Sequence, residues 1–182
     1  MAATERLIVA QGGNVSTRAI AEAAGIAEGT IFRVFPTKEA IIDAIVEDAI
    51  NPDTRKAEIA AIDPGADLET RLTELVAILQ RRMRRLQALF AAIGFRKPAS
   101  WQNRKAGGRH EFGMSEVAAI LEPDQGRIRV PVPEAARLLF AVVMSLNNPM
   151  FGGRSDIDPK EVVDLFLNGV AVPPNTSGKP SC

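Results

Sequence analysis

The sequence predicts an all-α protein, on three observations. Apolar residues recur at steps of three and four along several stretches. Alternating β-branched runs bounded by turn pairs are missing. Glycine, proline and Asn-Pro stand where the helical stretches stop. With 182 residues, 46% of them hydrophobic and 5% aromatic, the chain buries one substantial core or a small domain joined to a larger one.

The elements follow in order. Ala2 to Gln11 places Leu7 and Ile8 on a helical pattern and meets Gly12-Gly13, a stop signal. Ser16 or Thr17 caps a second helix running to about Ala24, and a third covers about Glu28 to Phe35. Pro36 separates this from a fourth helix, capped by Thr37, that continues through Ile45 and Val46 until Asn51-Pro52 ends it. From Leu68 the positions Leu72, Val76, Leu79, Met83, Leu86, Phe90 and Ile93 form one stripe along the longest helix, terminated by Gly94 and Pro98. Ala106-Gly107-Gly108 interrupts any helix beginning near Trp101. A further helix from Glu111 to about Leu121 is expected to end at Glu122-Pro123-Asp124-Gln125-Gly126. Pro133 opens another over Glu134 to Asn147, and Pro159 the last, over Lys160 to Asn168. The segment 172–182, rich in Pro, Asn, Thr, Ser and Gly, has little to bury and is expected to be a flexible tail.

Residues 20–40 carry the most specific pattern. A small residue, Ala21, stands where a second helix must cross the first, and Gly25 stands where the chain must turn with positive φ. Ile31 is placed to plug the second helix onto the first, with Ile20 and Val34 completing a small core, which defines a helix-turn-helix. Thr17, Ile20-Ala21, Ala24-Gly25-Ile26, Gly29-Thr30-Ile31-Phe32, Phe35, Thr37-Lys38-Glu39 and Ile41 together resemble, without a gap, the DNA-binding domain of the tetracycline-repressor (TetR) family of transcriptional regulators. Members usually have a longer first helix preceded by a charged segment, so this chain looks clipped at its start.

The resemblance implies an N-terminal three-helix helix-turn-helix DNA-binding domain over residues 1–50 and a C-terminal helical ligand-binding and dimerisation domain over 51–171. It implies a homodimeric repressor released from a palindromic double-stranded DNA operator by a small apolar or amphipathic ligand. The DNA-binding positions carried over are Thr17, Ala27, Glu28, Gly29, Thr30, Phe32, Arg33 and Lys38, with Arg33 suited to pair bidentately with guanine O6 and N7. Thr17 and Lys38 would hold phosphates, which position the protein and carry no sequence information. The plainer alternatives are that Thr17 and Thr37 only cap helices, Lys38 is solvated, and Phe32 and Phe35 are core. Ala27, Phe32 and Val34 stand where members often carry Ser or Thr, Tyr, and an aromatic or His respectively, so fewer polar groups face DNA.

Candidate ligand-pocket residues are Met83, Phe90, Trp101, His110, Phe112, Met114, Phe140 and Met144, each of which also fits ordinary packing or, for His110, an ordinary surface site. Leu139, Val143, Val163 and Leu165 on the last two long helices are the expected dimer contacts. The run Arg81-Arg82-Met83-Arg84-Arg85 reads as a solvated face with Met83 on the apolar stripe.

Composition narrows the classes. Net charge is zero, and residues 1–50 hold four basic against seven acidic side chains, so any DNA contact depends on a local patch. The one cysteine, Cys182, excludes an intrachain disulfide and a cysteine-based metal site, and a lone His110 makes no metal set; no cofactor is expected. No apolar stretch reaches about 20 residues and no leader pattern opens the chain, so a cytoplasmic protein without a membrane partner is expected. A phosphate-binding glycine loop after a strand and a nucleophile-base constellation are both missing, which argues against an enzyme. The clipped start and the acidic first fifty residues also admit a helical small-molecule- or partner-binding dimer that has lost operator binding.

Overall fold

The computed structural model describes residues 2–94, 113–148, 153–154 and 156–169. Among these the regular structure is entirely helical: α1 (Ala2–Gln11), a 3-10 turn (Gly12–Asn14), α2 (Thr17–Ala24), α3 (Glu28–Val34), α4 (Lys38–Ala49), α5 (Pro52–Ala60), α6 (Leu68–Ile93), α7 (Met114–Leu121), a 3-10 run (Glu122–Arg127), α8 (Val132–Leu146) and α9 (Pro159–Asn168).

The helix starts are set by local side-chain chemistry. Ser16 Oγ accepts from Ala19 N at 3.1 Å, Thr37 Oγ1 from Ala40 N at 3.1 Å, and Asp67 Oδ1 from Thr70 N at 3.0 Å. Each satisfies an amide that has no partner inside its own helix. Helix α5 is absent from the sequence expectation, which took Asn51-Pro52 only as a stop. Asn51 Oδ1 accepts from Asp53 N at 2.8 Å and Pro52 occupies the first turn, so the same pair that ends α4 starts α5. The segment Glu122 to Gly126 likewise continues as a 3-10 run instead of ending in a loop.

Two hydrophobic cores form. The first, in the head, collects Ile8, Val15, Ile20, Ala21, Ile31, Ile41, Ile42, Ile45 and Ala49 from α1 to α4, together with Leu89 from α6. The second, in the body, gathers Leu72, Leu75, Val76 and Leu79 of α6 with Val117, Leu121, Leu139, Val143, Val162 and Val163 of α7 to α9. Helix α6, 26 residues and about 39 Å long, therefore gives its N-terminal half to the body core and its C-terminal half to the head core. Being surrounded, it buries more than one stripe: Leu75 and Leu89 are fully buried although neither belongs to the expected seam, while Met83 is half-buried.

Three expectations are corrected. Val34 does not complete the small core but is 68% exposed, because α3 ends there and Phe35, whose amide still bonds Ile31 O at 2.8 Å, takes the inward place. Leu139, Val143 and Val163 are fully buried inside the protomer's own core, so they have no surface left for a partner; Leu165 is half-buried. The arginine run is a solvated face only in part: Arg81 and Arg84 are exposed, whereas Arg82 and Arg85 turn inward. Arg81 pairs with Glu58 at 2.9 Å, Arg82 donates to the carbonyls of Ala49 at 3.2 Å and Asn51 at 2.9 Å, and Arg85 pairs with Glu5 and Asp48.

Candidate nucleic-acid interface

The geometry of α2 and α3 is set by a few residues. Gly25 closes α2 at φ +68°, a conformation costly for a side chain with a Cβ, and its amide bonds Glu22 O at 3.1 Å. Ile26 N then reaches back to Ala21 O at 3.0 Å, which reverses the chain. Ile31, 5% exposed, fixes the inner face of α3 against Ile20 and Ala21. What remains outward is Ala27, Gly29, Thr30, Phe32 and Arg33, all exposed.

Along this outward face, Gly29 has open space where a Cβ would stand. The backbone of α3 is thus bare in its first turn, with Thr30 and Arg33 beside it. Ala27 supplies no side-chain cap, and the helix opens with Thr30 N on Ala27 O at 2.9 Å. Phe32 is 46% exposed and is not core, whereas Phe35 is half-buried against the N-terminal core.

Three of the polar residues assigned to DNA have partners within the chain. Thr17 Oγ1 donates to Glu28 Oε1 at 2.5 Å, so these two candidates bind each other across the helix-turn-helix. Lys38 Nζ donates to Gly13 O at 2.8 Å and ties the start of α4 to the turn after α1. Nearby, Arg18 pairs with Glu22 one turn on, at 3.1 Å, in full exposure, where such pairs contribute little. The structure therefore gathers Thr17 and the N-terminal turn of α3 on one face.

The joint behind this face was missed by sequence reading. Arg85 meets Glu5 of α1 and Asp48 of α4, and the hydrogen bond to Glu5 holds its guanidinium well above its usual range. Burial, opposed by the Glu58 carboxylate, pushes Arg82 down. Four arginines in five positions were the available signal, but partners 80 residues away are not legible in local spacing.

Of the candidate pocket residues, Met83 and Phe90 on the C-terminal half of α6, Met114 on α7, and Phe140 and Met144 on α8 are half-buried. Gln87 lies within a turn of Met83 and Phe90 and donates to Asn147 O at 2.8 Å, which brings that part of α6 to the end of α8. Trp101, His110 and Phe112 lie outside the described residues, as do the Trp101 to Gly108 stretch, Pro98 and the tail 172–182. Among the described residues, no group of three or more His, Cys, Asp or Glu side chains is placed to hold a metal ion, and no helix is long and apolar enough to cross a membrane.

A head of four helices, α1 to α4, with α3 turned outward, fixed by one long helix to an all-helical body, defines the class: a helix-turn-helix regulator fold. Residues 1–45 match the family model described as bacterial regulatory proteins, tetR family. The helix-turn-helix domain belongs to that family. Whole-chain similarity extends to solved structures. The fatty acid degradation regulator FadR from Bacillus halodurans is 18% identical with a TM-score of 0.56, covering 93% of this chain and 97% of that one. The TetR family transcriptional regulator PfmR from Thermus thermophilus is 21% identical with a TM-score of 0.55, covering 93% and 97%. NalD, the secondary repressor of the MexAB-OprM multidrug efflux pump in Pseudomonas aeruginosa, is 21% identical with a TM-score of 0.53, covering 91% and 90%. At these identities the likeness establishes the fold. No curated protein matches the chain in sequence.

Proposed function

We propose that the protein is a homodimeric transcriptional regulator that binds a palindromic operator through α3 and is released from it, as a repressor, by a small apolar or amphipathic molecule. The observation that carries this reading is the outward N-terminal turn of α3, bare at Gly29, with Thr30 and Arg33 beside it. A helix presented in this way fits the major groove with its first residues nearest the base edges. Residues 1–50 would be the DNA-binding unit, and residues 51–171 the sensing and dimerising body.

The ligand site in this reading lies between α6 and α8, and what supports it is that Met83, Phe90, Phe140 and Met144 are half-buried and that Gln87 of α6 donates to Asn147 O at the end of α8. Ligand occupancy shifts DNA affinity only through its differential binding to two arrangements of the head. For the dimer, the surface this reading assigns is the outer face of α8. Leu138 is 48% exposed, and Ala141 and Ser145 follow it at helical spacing, both exposed. Burying that stripe against a second copy removes apolar surface from water that the protomer core leaves uncovered.

Selection of random duplex DNA on the purified protein tests the reading. The expected result is an enriched palindrome whose half-sites lie about 34 Å apart, one helical turn, the spacing of two recognition helices in a symmetric dimer. Absence of any enriched sequence would overturn it and leave the body as the functional part.

A further inference from the structure

The hydrogen bond between Thr17 and Glu28 bears on which base is read. Glu28 is the first residue of α3, and Thr17 is the first of α2. Ser16 already caps α2, so the Thr17 hydroxyl is not needed there and instead donates to Glu28 Oε1 at 2.5 Å. A glutamate at a helix start has several rotamers open to it. This bond selects one and holds one carboxylate oxygen at the first residue of α2. Both side chains are half-buried, so the arrangement is fixed by packing as well as by the bond.

We propose that Glu28 is a specificity-determining residue that accepts a hydrogen bond from the exocyclic amine of cytosine in each half-site, and that Thr17 is its positioning residue. The proposal rests on the DNA-binding reading above. Its warrant is chemical. Glu28 is the one anionic side chain of α3, neighboured by Ala27 and Gly29, which offer no competing polar side chain. In the major groove a carboxylate accepts from cytosine N4, while the acceptors of guanine and thymine repel it. Arg33, later on the same helix, has the opposite demand and suits guanine. A carboxylate left free to rotate would turn towards solvent and away from the phosphates. The bond from Thr17 prevents this.

The test is duplex selection with the full chain and two variants, Glu28→Gln and Thr17→Val, each nearly the same shape as the residue it replaces. Wild-type protein should enrich cytosine at one position of each half-site, with about ten-fold weaker binding when that base is changed. Glu28→Gln should lose the cytosine preference at that position and keep the others. Thr17→Val should flatten the preference at the same position while its thermal midpoint stays close to wild type. Identical preferences for wild type and Glu28→Gln would overturn the assignment, as would a uniform gain in affinity for all sequences, which would make the carboxylate only a repulsive charge near phosphate. If the wild type enriches no sequence, the DNA-binding reading itself falls, and this proposal with it.

Discussion

Arg85 of α6 and Glu5 of α1 form a two-point ion pair, Nε to Oε1 at 2.7 Å and Nη2 to Oε2 at 2.6 Å, across 80 residues of sequence. The same guanidinium reaches Asp48 of α4 at 2.7 Å. Two helices of the head are thereby held to one position on the long helix, and two of the seven acidic charges of the first fifty residues are neutralised. Parallel bonds from a planar guanidinium fix orientation as well as distance. One turn further along the same helix Leu89, fully buried, inserts into the core of the head.

Replacing Arg85 with methionine keeps the apolar stem and removes the charge, leaving Glu5 half-buried without this partner. Because the guanidinium is partly exposed, the cost is set at about 2 kcal/mol, below that of a fully buried pair. Urea denaturation followed by circular dichroism measures it, and an unchanged midpoint would show that the pair contributes nothing net.

Leu89→Ala removes side-chain volume from a site with no exposure, for a loss of about 3 kcal/mol. A fragment of residues 1–50 lacks Leu89, Arg82 and Arg85 and is expected to be unfolded in isolation, as its amide proton spectrum would report. A dispersed spectrum from that fragment would show that the head is independent of α6.

Adjacent leucines on α8 should behave differently. Leu138→Lys is expected to yield folded monomers in sedimentation, since the side chain is 48% exposed in the protomer. Leu139→Lys places a charge in the closed core and should unfold the protein. A persistent dimer in Leu138→Lys would move the interface elsewhere.

Acid should weaken the body through Asp124. Its hydrogen bond from Arg71, with a second from Arg127 at 3.1 Å, holds the carboxyl below its ordinary value. A carboxylate depressed in the folded state contributes stability above its unfolded pKa of about 3.9 and loses it as pH falls through the lower folded value. The difference in urea midpoint between wild type and Asp124→Asn is therefore expected to be full at pH 7 and to shrink below about pH 4. A difference independent of pH would contradict this role.

How far the sequence discloses the molecule depends on how local the cause is. Gly25, Ala21, Ile31 and the caps Ser16 and Thr37 act within a few residues, so the helix-turn-helix was legible from residue types and spacing. Val34 was not, because whether it or Phe35 turns inward depends on where α3 stops. Leu138 and Leu139 are identical in chemistry and differ by about 100° around a helix, so which one faces the core is decided by the placement of α8 against α6. The arginine run needed the whole fold, since its carboxylate and carbonyl partners come from α1, α4 and α5.

Arg33 is exposed on α3, so Arg33→Ala should weaken binding to the selected operator about ten-fold or more while leaving the dimer intact in sedimentation. Equal affinity and preference in the variant would remove Arg33 from recognition.

Sequence-specific DNA binding is tested most directly by a fluorescence anisotropy titration of the full chain against the selected duplex and a scrambled duplex of the same length, at two salt concentrations. The expected result is a preference for the selected duplex of about 10³-fold or more at moderate salt, with affinity falling as salt rises. Equal, weak binding to both duplexes, lost together at moderate salt, would contradict a regulator that reads an operator through α3.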